Sequence, residues 1–224
     1  MAGPAVHAGG PYSVRQHADD LVRVLDALSL DAVTVCGMSL GGFVGVSLAV
    51  SHPERVRALI CVDGGFPMAG REGLTPAMVP AAFAPTLAAV DREWPSVDEY
   101  VATHVNSLLS AEDPLLRNYA EHFLADGRVR LDKDAVIADA TDVFFGAPRW
   151  QELAVPTRLV YAEWSVDRDS APAYSPAAVS SFADSVEFAA PPRRVLGVDH
   201  GGIVMTAEGA EVVAEVLRET LAGR

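Results

Sequence analysis

Cysteine and positive charge are both scarce in this 224-residue chain. The two cysteines, Cys36 and Cys61, stand in apolar, strand-like runs. Thiols so placed read as buried packing residues in a reducing compartment, not as a disulfide framework. Lysine and arginine number 17 against 30 acidic residues, for a net charge of −13. No basic run occurs, which argues against nucleic acid and anionic membrane surfaces as partners. No stretch approaches 18 consecutive apolar residues, and no leader-like segment opens the chain. The expectation is a soluble cytoplasmic protein. The histidines are scattered without ligand spacing and Cys-x-x-Cys is absent, so no metal and no cofactor are expected. Repeats and low-complexity tracts are missing too.

What is present is apolar bulk and a clear order of elements. Half of the residues are hydrophobic, and the length suits one α/β domain with an inserted subdomain. Met1–Pro11 reads as a loop rich in Ala, Gly and Pro. Ser13 caps a helix, with Gln16 completing a capping box. Ala32–Val35 leads a first strand, Val56–Val62 forms a second, Thr157–Ala162 a third and Arg194–Val198 a fourth. Short strand–helix–strand connections imply a parallel sheet. Between Phe66 and Pro148 strand-like runs disappear. Helices are expected near 76–90, 96–110, 113–125 and 132–145. This divides the chain into a core of residues 1–65 and 149–224 and a helical cap of residues 66–148. A short helix from Pro176 and a last amphipathic helix from Thr206 to Leu221 close the chain.

The organising stretch is Cys36-Gly37-Met38-Ser39-Leu40-Gly41-Gly42. A Gly-x-Ser-x-Gly pattern between a strand and a small-residue helix marks a nucleophile elbow. Its tight turn demands small residues two before and two after the serine, which Gly37 and Gly41 supply. Ser39 would then stand at a strand's carboxyl end, beside a helix N-terminus that favours developing negative charge. Serine needs a base to accept its proton. Of six histidines, only His200 follows a buried strand in a Gly-rich loop. Loops at the carboxyl ends of parallel strands share one rim, so His200 can reach Ser39. A carboxylate from a strand end should orient the imidazole. Asp167, after the third strand, is the choice, with Asp169 next. Asp63, at the end of the second strand, is a live alternative. The Leu40 N–H would hold the oxyanion.

These residues resemble the α/β-hydrolase superfamily. The Gly37–Gly42 elbow, the Ser51-His52-Pro53-Glu54-Arg55-Val56 turn and Val198-Asp199-His200-Gly201 look like the branch of small-ester hydrolases, enol-lactonases and cofactor-free haloperoxidases. The resemblance implies a parallel-sheet core with an inserted α-helical cap. It also implies a serine hydrolase cleaving a small ester, thioester or lactone through an acyl-enzyme, and the aromatics and methionines of the chain suggest an apolar substrate. Two departures stand out. The family's usual acid slot falls on Ser165, so the carboxylate must come from Asp167, Asp169 or Asp63. The usual N-terminal strands, one of which ends in a His-Gly oxyanion loop, would need roughly 50–80 residues before this helix. Only Met1–Pro11 stands there, with His7-Ala8-Gly9-Gly10 a faint echo of such a loop. The core is therefore read as N-terminally shortened, with the Ser39 strand at a sheet edge. An apolar edge invites pairing. It predicts a homodimer through that edge, aggregation, or a longer native product.

Two other readings compete. A catalytically impaired or non-catalytic scaffold would follow from the missing oxyanion loop. A dinucleotide-binding domain would use Gly37-x-Ser39-x-x-Gly42 with Asp63, but the serine crowds the pyrophosphate where bare backbone is needed.

Overall fold

The computed structural model of the chain describes residues 12–70, 73–146 and 149–223. The loop reading of Met1–Pro11, including His7-Ala8-Gly9-Gly10, lies outside these residues.

Ser13 caps a helix as foreseen. Its hydroxyl accepts the Gln16 N–H at 3.0 Å and caps α1, Val14–Ala27. The Gln16 side-chain amide donates forward to Asp20 Oδ1 at 3.0 Å. Strand β1, Val33–Met38, then leads through Ser39 into α2, Leu40–Ser51. A 3-10 turn at Pro53–Arg55 delivers β2, Val56–Val62. Both strands match the sequence reading because their runs are apolar and bounded by Asp31 and Pro53.

Beyond β2 come α3 (Val79–Ala82), α4 (Ala84–Asp91), α5 (Val97–Ala102) and α6 (Pro114–Phe123). A two-residue hairpin follows, β3 (Leu124–Ala125) against β4 (Arg128–Val129), and then α7, Lys133–Phe145. The chain returns as β5 (Thr157–Ala162), α8 (Pro176–Phe182), β6 (Arg193–Val195), α9 (Gly202–Met205) and α10 (Ala207–Ala222).

Among the described residues four strands form one parallel sheet in the order β1-β2-β5-β6. Among the described residues β1 pairs with β2 alone and stands at the edge. Alternate residues of the central strands feed two cores. Leu59, Cys61, Leu159 and Tyr161 pack with Val44, Leu48, Phe66 and Phe182 on one face. Ile60, Val62, Val160 and Ala162 pack with Val195, Val198, Ile203 and Val216 on the other. Burial on both faces explains why these strands are nearly continuous apolar runs. Each fully buried side chain such as Leu59 or Ile60 contributes roughly 1.5–3 kcal/mol.

The elements between β2 and β5 hold a third apolar cluster, in which Trp94 meets Tyr100 edge-on at 5.1 Å and both pack with Leu116, Leu124 and Val129. The helix expected over 96–110 stops at Ala102. Thr103 turns its hydroxyl back onto the Tyr100 carbonyl, and farther along the Asn106 side chain captures the Leu108 and Leu109 N–H groups. The hairpin is a further correction to an all-helical reading. Asp126 and Gly127 both adopt positive φ, at 50° and 73°, which a tight hairpin turn requires. The last strand is shorter than expected and ends at Val195. Gly197 turns the chain at φ 77°, and its N–H donates to Glu163 at 2.7 Å. Cys36 is exposed on edge strand β1, against the expectation of two buried thiols, while Cys61 is buried on β2. No helix among the described residues is long and apolar enough to cross a membrane.

Candidate active site

The sheet register builds the site. Met38 on β1 is the ladder partner of Val62 on β2. The residues that follow, Ser39 and Asp63, therefore leave the sheet side by side. The Ser39 N–H donates to the Val62 carbonyl at 2.9 Å, and the Asp63 N–H donates to the Val160 carbonyl at 2.8 Å. Both residues hold left-handed backbone, with φ 54° for Ser39 and 45° for Asp63. Such conformations cost on the order of 1–3 kcal/mol each and persist only where the surroundings enforce them. At Ser39 the enforcement is close packing. A Cβ on Gly37 would fall 2.1 Å from the Gly41 carbonyl oxygen.

His200 arrives from the turn after β6. Its Nε2 lies 2.9 Å from Ser39 Oγ, and its Nδ1 lies 2.6 Å from Asp63 Oδ2. Its backbone N–H donates to the Ser165 carbonyl at 3.0 Å, which ties the turn to the loop after β5. The imidazole is about one-third exposed, whereas the Asp63 side chain is 1% exposed. The second Asp63 oxygen accepts the Ala162 N–H at 3.0 Å. The carboxylate is thus fixed from both sides, with one oxygen aimed at the imidazole. Leu40 opens α2, so its N–H has no intrahelical acceptor and is free to meet a negative charge beside Ser39.

The acid differs from the choice made on sequence. Asp167 is exposed in the loop after β5, and its carboxylate accepts from Ser107 Oγ at 2.5 Å and from the Arg168 N–H at 2.7 Å. The Ser107 hydrogen bond, then that of Arg168, holds this carboxyl below its ordinary value. Asp169 is likewise exposed, with φ 63°. The imidazole meets Asp63, the alternative the sequence had left open. The same contact closes Asp63 to a ribose, which removes the acidic residue that dinucleotide binding would need.

Asp199, beside His200, is 1% exposed. It accepts the Gly202 N–H at 2.6 Å and the Asn106 amide at 3.0 Å. Sequence reasoning did not single out Asn106, and nothing local marks it. Among the described residues no group of three or more His, Cys, Asp or Glu is arranged to hold a metal ion.

A model of the alpha/beta hydrolase fold matches residues 4–162. The protein named "Putative carbamate hydrolase RutD" of Caulobacter segnis is 47% identical over 55 residues, which are 25% of this chain and 21% of that one. The 3-oxoadipate enol-lactonase 2 of Acinetobacter baylyi is 41% identical over 54 residues, 24% of this chain and 20% of the other. These matches span about a fifth of the curated relatives' length. The crystal structure of E-2-(acetamidomethylene)succinate hydrolase superposes with a TM-score of 0.74 at 20% identity, covering 98% of this chain and 78% of the other. That likeness is one of fold.

Proposed function

The chain belongs to the α/β-hydrolase fold family, and from that premise we propose that it is a serine hydrolase cleaving a small ester, thioester or lactone through an acyl-enzyme. Ser39 Oγ attacks the substrate carbonyl carbon as His200 Nε2 takes its proton. Asp63 holds the Nδ1–H and steadies the imidazolium. The Leu40 N–H and the α2 terminus stabilise the oxyanion. The tetrahedral intermediate collapses, His200 returns the proton to the leaving oxygen or sulfur, and an acyl-Ser39 ester remains. Water then attacks that ester, giving its proton to His200, and the acid product leaves with Ser39 restored.

The observation that carries this reading is the continuous relay Ser39–His200–Asp63, at 2.9 and 2.6 Å. Similarity to the proteins named "Putative carbamate hydrolase RutD" and 3-oxoadipate enol-lactonase 2 supports a hydrolytic reaction. The test is turnover of p-nitrophenyl acetate. Wild-type protein should release p-nitrophenol, and Ser39→Ala should abolish the release. Unchanged turnover in Ser39→Ala would end this mechanism. No turnover by either protein would favour a non-catalytic scaffold.

A further inference from the structure

We propose that Asn106, in the segment between α5 and α6, is a positioning residue that clamps Asp199 and thereby fixes the turn presenting His200. The proposal rests on the reading of His200 as the base of a serine hydrolase.

Asp199 is a carboxylate at 1% exposure, and its two oxygens take neutral donors. Oδ1 accepts the Gly202 N–H at 2.6 Å and Oδ2 accepts Asn106 Nδ2 at 3.0 Å. A buried carboxylate is costly unless its lone pairs are satisfied, so each donor matters more than a surface contact would. The Asn106 amide is itself oriented. Its Oδ1 accepts the Leu108 and Leu109 N–H groups, each at 2.8 Å. That assignment leaves Nδ2 as the atom facing the carboxylate.

The segment also holds the loop after β5. Ser107 Oγ donates to Asp167 in the loop after β5, the same loop whose Ser165 carbonyl accepts the His200 N–H. Leu108 and Leu109 close over the turn. A Cβ built on Gly202 would lie 3.3 Å from Leu108 Cδ1, and one on Gly201 would lie 4.0 Å from Leu109 Cδ1. Residues 106–109 therefore hold both loops that flank His200. Asn106 acts at the contact with the buried Asp199 carboxylate. Its loss would let the histidine turn drift, and a displacement near 1 Å can cost on the order of 10² in rate.

The test exchanges donor and acceptor. Asn106→Asp sets two carboxylates against each other. Asp199→Asn sets two amides against each other. The double variant restores one donor and one acceptor with the polarity reversed, and both remaining sets of backbone N–H groups keep an oxygen to donate to. The readout is the rate at which a fluorophosphonate probe labels Ser39, followed by intact mass. Each single variant should label about tenfold more slowly or worse, and the double should return to within about threefold of wild type. Rescue by exchange is not expected from a merely structural loss of packing. Singles that label at the wild-type rate, or a double as slow as the singles, would overturn the proposal. Should wild-type Ser39 take no label, the hydrolase reading fails on its own. The clamp is then read from the His200 ring signals in histidine-labelled NMR spectra. Asn106→Asp should shift them and the double variant should restore them, and unmoved signals would overturn the clamp.

Discussion

The Ser39 carbonyl oxygen and the Gly64 backbone pack so closely that a Cβ on Gly64 would sit 2.1 Å from that oxygen. Gly42 is held in the same knot, where its Cβ would fall 2.8 Å from the Gly64 carbonyl carbon. Gly41 is different, since a Cβ there meets nothing within 4 Å. The sequence pattern assigns the demand for smallness after the serine to Gly41. In the fold it falls on Gly42 and Gly64. Gly42→Ala and Gly64→Ala should each destabilise the protein by about 1–3 kcal/mol in urea unfolding. Gly41→Ala should be neutral or stabilising by up to about 1 kcal/mol, because alanine is the better helix former. A large loss at Gly41 with none at Gly64 would contradict this packing.

The elbow was legible because three local signals coincide there: a β-branched strand, small residues and a helix of small apolar side chains. His200 was legible because its Gly-rich loop follows a buried strand. The choice between Asp63 and Asp167 was not. It depends on parallel register, which places Met38 opposite Val62, and register across a crossover leaves no mark in a single chain. The helix does not run on to residue 110 because Asn106 catches the Leu108 and Leu109 N–H groups, a competition that apolar spacing does not encode. The hairpin at Leu124–Val129 carried a signal that the helical period masked, since Asp126-Gly127 between apolar residues is a strong hairpin turn.

Tyr174 is fully buried, and its hydroxyl donates to the Phe66 carbonyl at 2.8 Å. The Phe66 ring stacks on Phe182 at 5.2 Å. Tyr174→Phe keeps the ring packing but leaves that carbonyl without its donor. The expected cost is about 1–3 kcal/mol in the unfolding free energy, seen as a lowered thermal midpoint. An unchanged midpoint would contradict a role for this hydrogen bond.

The contact between α1 and α7 should respond to pH. His17 Nε2 lies 2.9 and 3.0 Å from the two Asp139 oxygens. Burial raises the Asp139 carboxyl above its ordinary value, the His17 hydrogen bond and charge oppose the rise, and Asp142 adds to it. The folded state therefore binds this proton more tightly than the unfolded chain does. Stability from this group is present below about pH 4 and is lost as pH rises through the raised native value. Asp139→Asn removes that loss while keeping an oxygen toward His17. The variant should gain in urea midpoint relative to wild type at pH 7, and the gain should shrink toward pH 4. A gain that grows on acidification would contradict the sign.

The most direct test of the central claim compares two conservative changes, Asp63→Asn and Asp167→Asn, by the turnover of p-nitrophenyl acetate. Asp63 meets the imidazole at 2.6 Å, whereas Asp167 is exposed and bonded to Ser107. Removing the charge that orients a catalytic histidine costs on the order of 10⁴ in kcat. Asp63→Asn should therefore lose activity by about that factor, and Asp167→Asn should stay within about tenfold of wild type. Full activity in Asp63→Asn, or a loss in Asp167→Asn as deep as that expected of Asp63→Asn, would contradict the Ser39–His200–Asp63 site.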